Sequence, residues 1–240
     1  MSHWNEWVKL YFYMVVLRTN GIPAIINTGP PTDISQLNRA WSKFAGPRCQ
    51  MIRKEEERPE RALAAIGVDP ADVDFVLLTP LQAYATANIP LFKKARICLS
   101  RRGWIEDVMA RASSSHGSRD FCIPDTVLKH MLFEAQDRVH LLEDEEEVCR
   151  GIRAWWAGVH HRSSMVYSAD TDAGVVMIGD CAMKYENVGG HPLGIAESLL
   201  EGATAYKRIR QEASIFLSLY GPEVLVRYPS GIPALTDSRT

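Results

Sequence analysis

Residues 76–85 have the sequence Val-Leu-Leu-Thr-Pro-Leu-Gln-Ala-Tyr-Ala, an apolar run that stops at a proline and continues into a mixed loop. The run begins at Val73, and its β-branched and aromatic residues predict a buried strand that ends at Pro80. A second apolar run, Ala95–Ser100, predicts another strand soon afterwards. Buried strands that alternate with helical segments are typical of an α/β fold.

The flanking sequence extends this alternation in both directions. We expect a β-hairpin with its turn at Thr19-Asn20-Gly21, a helix from Ile34 to Phe44 with Asp33 as N-cap, and a short helix over Glu60–Ile66. Residues 103–134 look helical, with a break at the loop of residues 113–118. Further strands are predicted at 138–142, 152–156, 164–169 and 174–178, followed by a helix from about Pro192 to Glu212. The acidic run Glu143–Glu147 is expected to be a solvated turn or helix start.

Composition restricts the classes of function. The chain has 240 residues with 27 Lys and Arg against 29 Asp and Glu, a formal charge of −2, so it offers no cationic excess for nucleic acid. The longest apolar run, Val8–Leu17, is far shorter than the roughly 20 residues of a membrane-spanning helix. Five scattered cysteines without a Cys-x-x-Cys pair, and no signal-like N-terminus, favour a reducing cytoplasm.

Four segments together resemble the metallo-β-lactamase superfamily, in particular its N-acyl homoserine lactonase-like branch. These segments are Ile25–Gly29, Val76–Ala85, Val159–Ser164 and Met177–Cys181. The resemblance implies a four-layer αββα sandwich that spans residues 1–240 as a single domain, and a possible homodimer. It also implies that the Thr28-Gly29 turn, Thr79 and Asp180 meet at one edge of the sheets.

The resemblance also indicates where the family's metal ligands should lie. That family binds two zinc ions through a His-x-His-x-Asp-His loop, which corresponds here to residues 80–85. The four ligand positions fall on Pro80, Gln82, Tyr84 and Ala85. Proline and alanine side chains have no donor atom, and an amide or a neutral phenol binds zinc poorly. This loop is therefore expected to bind no metal.

Two further ligand positions keep residues that could bind a metal. The resemblance places the family's next histidine at His160 and its bridging aspartate at Asp180, whereas the last histidine corresponds to Tyr220. A catalytic zinc ion normally needs three protein ligands. We therefore expect no cofactor, and the resemblance implies a lactonase-like hydrolase homologue without the dinuclear zinc centre, which binds or turns over a small molecule in the residual cleft.

The candidate catalytic residues are His160, Asp180, His161 and Arg162. The expected cleft-lining residues are Gln82, Tyr84, Ser164, Tyr185 and Tyr220. His160 and Asp180 would form a hydrogen-bonded acid/base pair, with the carboxylate favouring protonation of the imidazole and Arg162 stabilising an anion.

Several alternatives remain open from the sequence. A single divalent metal could be held weakly by His160, Asp180 and a new third ligand such as His161 or His191, with Cys181 as a further possibility. Ser163 or Ser164 could act as a nucleophile with a histidine and an aspartate, although no Gly-x-Ser-x-Gly turn is present. The chain could also be a non-catalytic ligand-binding or interaction protein, with the His160–Asp180 pair only satisfying its own buried polar atoms.

Overall fold

The structure, a computed structural model, describes residues 7–19, 21–110, 119–191 and 194–232. The ten strands that it describes are β1 Val15–Thr19, β2 Ile22–Ile26, β3 Phe75–Leu77, β4 Arg96–Ser100, β5 Val139–Leu142, β6 Glu145–Cys149, β7 Ile152–Trp156, β8 Met165–Thr171, β9 Gly174–Gly179 and β10 Ile215–Ser218. The helices are α1 Ser35–Ala45, α2 Pro59–Ala65, α3 Ala83–Thr86, α4 Arg101–Gly103, α5 Asp125–Lys129, α6 Tyr185–Val188, α7 Leu199–Glu212 and α8 Glu223–Arg227. Two of them continue as π-helices: α4 over Trp104–Met109 and α5 over His130–Glu134.

The strands form two five-stranded mixed sheets. The first has the order β1-β2-β3-β4-β5, in which only the β1–β2 hairpin is antiparallel. The second has the order β10-β9-β8-β7-β6, in which only β10 and β9 are parallel. None of the described helices is both long and apolar enough to cross a bilayer.

Side-chain alternation along the strands divides the core into layers. In β2, Ala24 and Ile26 join the apolar cluster between the two sheets, while Ile25 belongs to the cluster that also contains Leu63 of α2. The second sheet behaves in the same way, because Tyr167 belongs to the inter-sheet cluster and Val166 packs with residues of α7. This is the expected four-layer αββα sandwich.

The hairpin, α1 and α2 confirm the predictions from the sequence, but β1 covers only Val15–Thr19, whereas the apolar run predicted for it spans Val8–Leu17. Strand β3 is shorter than predicted, and the expected turn residue Asn20 and the loop of residues 113–118 lie outside the described residues. Asp33 does not occupy the N-cap of α1, which is Ile34, although its Oδ1 accepts a hydrogen bond from Ser35 N (2.9 Å).

The prediction for Glu143–Glu147 was wrong, because Glu145–Cys149 forms the edge strand β6. Charged residues are common on edge strands, where their side chains stay in water. Here Glu145 also forms an ion pair with Arg208 (2.5 Å), and the carboxylate of Glu146 lies 2.5 Å from His140 Nε2. These partners and the pairing with β7 outweigh the low strand propensity of glutamate.

Helix α7 begins at Leu199, later than predicted, and the predicted first residue Pro192 lies outside the described residues. Ser198 is the N-cap and accepts from Glu201 N (3.5 Å). The backbone amides of Glu197 and Ser198 both donate to the carbonyl of Val159, at 2.7 and 3.1 Å. These bonds hold the chain in a non-helical conformation just before the helix.

A close contact between α4 and the loop that follows β7 locks the two halves together. A Cβ added at Gly103 would lie 2.3 Å from the Cα of Ser163, so no other residue fits without movement. Ser163 is fixed there by Asp107, whose Oδ2 accepts from both Ser163 Oγ (2.6 Å) and Ser163 N (3.0 Å). Ser163 Oγ in turn accepts from Leu81 N (3.0 Å).

We predict that Gly103→Ala lowers the free energy of unfolding by at least about 2 kcal/mol, because the backbone of residue 163 must move. Gly194→Ala is the matched control, since nothing lies within 4 Å of the added methyl group. Urea denaturation followed by circular dichroism measures both variants. Equal midpoints for the two variants would contradict the proposed close approach.

Candidate active site at the sheet edge

The candidate site lies where β3 of the first sheet and β9 of the second sheet end. Thr79 Oγ1 donates to Asp180 Oδ1 (2.5 Å) and accepts from Met165 N (2.8 Å). Asn27 holds Thr79 by two bonds, from its Nδ2 to Thr79 O (2.7 Å) and from Thr79 N to its Oδ1 (2.9 Å). The two chain segments therefore meet at one edge, as expected.

The Thr28-Gly29 turn belongs to the same edge. Thr28 Oγ1 donates to Ala85 O (3.0 Å) and accepts from Asn88 N (3.1 Å), and Asn88 Nδ2 donates to Gly29 O (3.1 Å). These bonds attach the end of β2 to the 80–88 loop. The expected convergence of this turn with Thr79 and Asp180 is confirmed.

Asp180 is fully buried and accepts three side-chain hydrogen bonds. Besides Thr79, Ser164 Oγ donates to Asp180 Oδ2 (2.6 Å), and His160 Nδ1 lies 3.3 Å from the same oxygen. Because an ionised carboxylate only accepts, the Nδ1 of His160 carries the proton in this contact. The negative charge is thus balanced by hydrogen bonds to neutral groups.

Asp180 favours protonation of His160, as expected, but it does not decide the protonation state of the imidazole. Burial lowers the pKa of His160 below its ordinary value, and this effect outweighs the opposing hydrogen bond and charge of Asp180. The site therefore contains a neutral imidazole with Nδ1–H on the carboxylate. Its Nε2 lone pair remains available for a proton or a donor.

His161 and two tyrosines form the second part of the site. The Tyr84 hydroxyl lies 3.4 Å from His161 Nε2 and 3.2 Å from the Tyr220 hydroxyl. His161 Nδ1 lies 3.5 Å from a carboxylate oxygen of Glu197. Burial and the neighbouring Tyr84 raise the pKa of Tyr220 well above its ordinary value, so this phenol stays neutral.

An aromatic cluster, which the sequence analysis missed, covers Tyr84 and Tyr220. Phe12 lies 4.7 Å from Tyr84 and 5.5 Å from Tyr220 between ring centroids, and it stacks on Trp41 at 5.3 Å. Trp41 and the 69% exposed Phe44 continue through Phe121 towards solvent. The helical spacing of Trp41 and Phe44 was visible in the sequence, but nothing there indicated that Phe12 and Phe121 join them.

The 80–85 loop contributes to this site mainly through Tyr84. Gln82 is buried, and with Leu81, Asp107 and Cys122 it lines a cavity of about 30 Å³, room for about one water molecule. Pro80 and Ala85 carry no polar side-chain atom. Within the residues that the structure describes, no three His, Cys, Asp or Glu side chains are arranged to hold a metal ion.

The guanidinium of Arg162 is bonded to two glutamates and packs on a tryptophan. Its Nε donates to Glu106 (2.8 Å) and its Nη1 to both oxygens of Glu201 (2.9 and 2.8 Å). The guanidinium also lies 4.7 Å from the ring centroid of Trp156, whose Nε1 donates to Arg162 O (2.7 Å). These contacts attach the His160–His161 loop to α7 and to the helix after β4.

The remaining candidates have other neighbours. Tyr185 packs on Phe216 at 6.4 Å and lies beneath the guanidinium of Arg227. His191 follows α6, and its ring Nδ1 lies 3.3 Å from Glu186 O. Cys181 is buried, which raises the pKa of its thiol. Among these described side chains none forms a hydrogen bond or ring contact with the His160–Asp180 pair, although the charge of Asp180 also raises the pKa of the Cys181 thiol.

We predict that His160 remains a neutral Nδ1–H tautomer at pH values where an exposed histidine is already protonated. Because its folded pKa lies below the unfolded value, the unfolded chain binds the proton more tightly, so this residue's contribution lowers stability as pH falls below about 6.5. Long-range ¹H–¹⁵N NMR spectra of the imidazoles, recorded from pH 8 to pH 5, measure both properties, and His160→Gln assigns the signal. A His160 titration above the ordinary value would contradict this prediction.

Solved structures with the same architecture are known, although no protein-family model matches this chain and no curated protein matches it. A variant of AiiA from B. thuringiensis with N-decanoyl-L-homoserine bound at its active site has a TM-score of 0.69 and 17% sequence identity, covering 91% of this chain and 84% of that one. A probable metal-dependent hydrolase from Staphylococcus aureus has a TM-score of 0.65 and 17% identity, with coverage of 88% and 75%. The dizinc quorum-quenching lactonase AidC has a TM-score of 0.61 and 14% identity, with coverage of 96% and 81%. The chain therefore has the metallo-β-lactamase fold in the form found in N-acyl homoserine lactonases and related metal-dependent hydrolases.

Proposed function

We propose that this chain is a single-domain, metal-independent protein of the lactonase-type fold that binds a small molecule with an apolar acyl chain. In this proposal it does not hydrolyse that molecule through a dinuclear zinc centre. The observation that supports it most is the environment of Asp180. Its carboxylate is buried and is bonded to Thr79, Ser164 and His160, all of which belong to the chain itself.

The donor set does not fit a pair of zinc ions. A bridging carboxylate would have to give up these hydrogen bonds, and the Tyr84 and Tyr220 hydroxyls lie 3.2 Å apart beside His160. Zinc prefers thiolate, imidazole and carboxylate ligands. A single metal is not favoured either, because the nearest third candidate, His161, faces Tyr84 and Glu197.

The aromatic cluster supports binding of an acyl chain. Phe12, Trp41, Phe121 and Phe44 form a chain of ring contacts that runs from the buried tyrosines to the exposed Phe44 ring. Phe44 is exposed and the other three rings are half-buried, and an exposed apolar patch on a protein surface is often a binding site. The similar structures hold N-decanoyl-L-homoserine and N-hexanoyl-L-homoserine, each of which carries an acyl chain.

A second candidate function is metal-independent acid/base catalysis by His160. It is favoured by the neutral ring, whose Nδ1–H faces Asp180 and whose Nε2 lone pair could accept a proton. It would appear as hydrolysis that is insensitive to chelators and is lost in His160→Gln. Such activity would show that the chain hydrolyses its ligand and does not only bind it. The proposal that the chain works without a metal would still hold.

We predict that added Zn²⁺ does not create lactone hydrolysis. When the purified chain is incubated with N-decanoyl-L-homoserine lactone and either Zn²⁺ or a chelator, the ring-opened product N-decanoyl-L-homoserine should form at the same rate as in buffer, as followed by liquid chromatography. Elemental analysis should find much less than one zinc per chain. Two bound zinc ions per chain together with zinc-dependent turnover would refute the proposal.

We predict that the neutral N-decanoyl-L-homoserine lactone binds the aromatic cluster. Trp41→Ala and Phe44→Ala should each weaken its binding, measured by calorimetry, by about tenfold, which corresponds to about 1.4 kcal/mol. Phe133→Ala is the matched control, because this ring is 81% exposed and lies in the π-helix after α5. Absence of binding to the unmodified chain, or an equal loss in the control, would contradict the proposed ligand.

A further inference from the structure

A second cavity lies beside α7, away from the aromatic cluster. Its volume is about 320 Å³, within the usual range for small-molecule pockets. The described residues that line it are Val159, Gly190, His191, Leu199, Gly202, Ala203, Tyr206 and Arg210. None of these side chains belongs to the Asp180 hydrogen-bond network, so the cavity is not explained by the function proposed above.

The inner surface of this cavity is apolar. Val159 and Tyr206 are buried beneath it, and a Cβ added at Gly202 would lie 3.3 Å from the Tyr206 ring on the next turn of α7 and 3.5 Å from Val159 Cγ1. The hydroxyl of Tyr206 is already used by Cys181 O (2.8 Å), so this residue presents its ring. Leu199 remains 59% exposed at the rim. A hydrocarbon chain would cover this surface favourably.

The polar part of the lining carries positive charge. Arg210 donates from Nη1 to Val188 O, which leaves its Nε and Nη2 hydrogens for another acceptor. Of the described lining residues none is acidic, and His191 is the other titratable basic group. A guanidinium binds a carboxylate through two parallel hydrogen bonds.

We propose that this cavity binds a small monocarboxylate with a short apolar chain. The carboxylate lies on Arg210, and the chain covers Val159, Leu199 and the Tyr206 ring. Because an exposed ion pair alone contributes little in water, the apolar contact supplies the rest of the affinity. A neutral molecule of the same length lacks the first interaction and binds more weakly.

The test compares octanoate with octan-1-ol on the full chain by calorimetry and ¹H–¹⁵N NMR. We expect octanoate to bind at least about fivefold more tightly than octan-1-ol, and Arg210→Gln to remove that difference. Lys207→Gln is the matched control, an exposed cation on the same helix outside the cavity lining. Ala203→Phe fills the cavity and should weaken binding of both compounds.

This proposal is overturned if octanoate does not bind, if Arg210→Gln and Lys207→Gln lose binding equally, or if both Arg210→Gln and Ala203→Phe bind octanoate fully. Trp41→Ala separates the two proposed sites, because it should leave octanoate binding unchanged. Loss of octanoate binding in Trp41→Ala, with none in Arg210→Gln, would place octanoate on the aromatic cluster and would also refute the second site.

Discussion

The hydrogen bond between Thr79 and Asp180 joins the two sheets at the edge where the candidate site lies. Thr79 ends the segment after β3 and Asp180 follows β9, so a 2.5 Å contact between their side chains fixes the two halves of the sandwich relative to each other. A buried carboxylate is stable only when donors surround it. Here the donors come from two separate segments, Thr79 after β3 and the loop between β7 and β8, and the carboxylate comes from a third, so the position of each segment depends on the others.

The same constraint explains the protonation states around Asp180. A protonated His160 would be attracted by the buried charge of Asp180 but would lose its hydration. The loss of hydration is the larger effect, so the pKa of His160 is lowered. Tyr220 keeps its proton for the related reason that a phenolate would be buried beside an existing negative charge. The centre is thus built from neutral side chains around a single carboxylate.

Much of the fold was predictable from the sequence because apolar periodicity reports burial directly. The β1–β2 hairpin, β4 and the strands from β7 to β9 follow that pattern closely. Strand β6 was not predictable, because its residues are acidic and its stability comes from partners that are distant in sequence, such as Arg208. In the site, the resemblance placed His160 and Asp180 correctly in contact. The partners of Arg162 and the aromatic cluster depend on tertiary packing that no local pattern contains.

Val159 shows how the loop that carries His160 is held. This valine has φ of 69°, a conformation that β-branched residues rarely adopt and that costs on the order of 1–3 kcal/mol. Its amide donates to Glu201 Oε2 (3.1 Å), and its carbonyl accepts from the amides of Glu197 and Ser198. Glu201 also binds Arg162. This one glutamate of α7 therefore fixes the backbone of Val159, just before His160, and the side chain of Arg162, just after His161. The imidazoles of this site are therefore positioned from the helix outside the second sheet. For that reason a ligand in the cavity beside α7 would contact the element that supports the site, without touching the site itself.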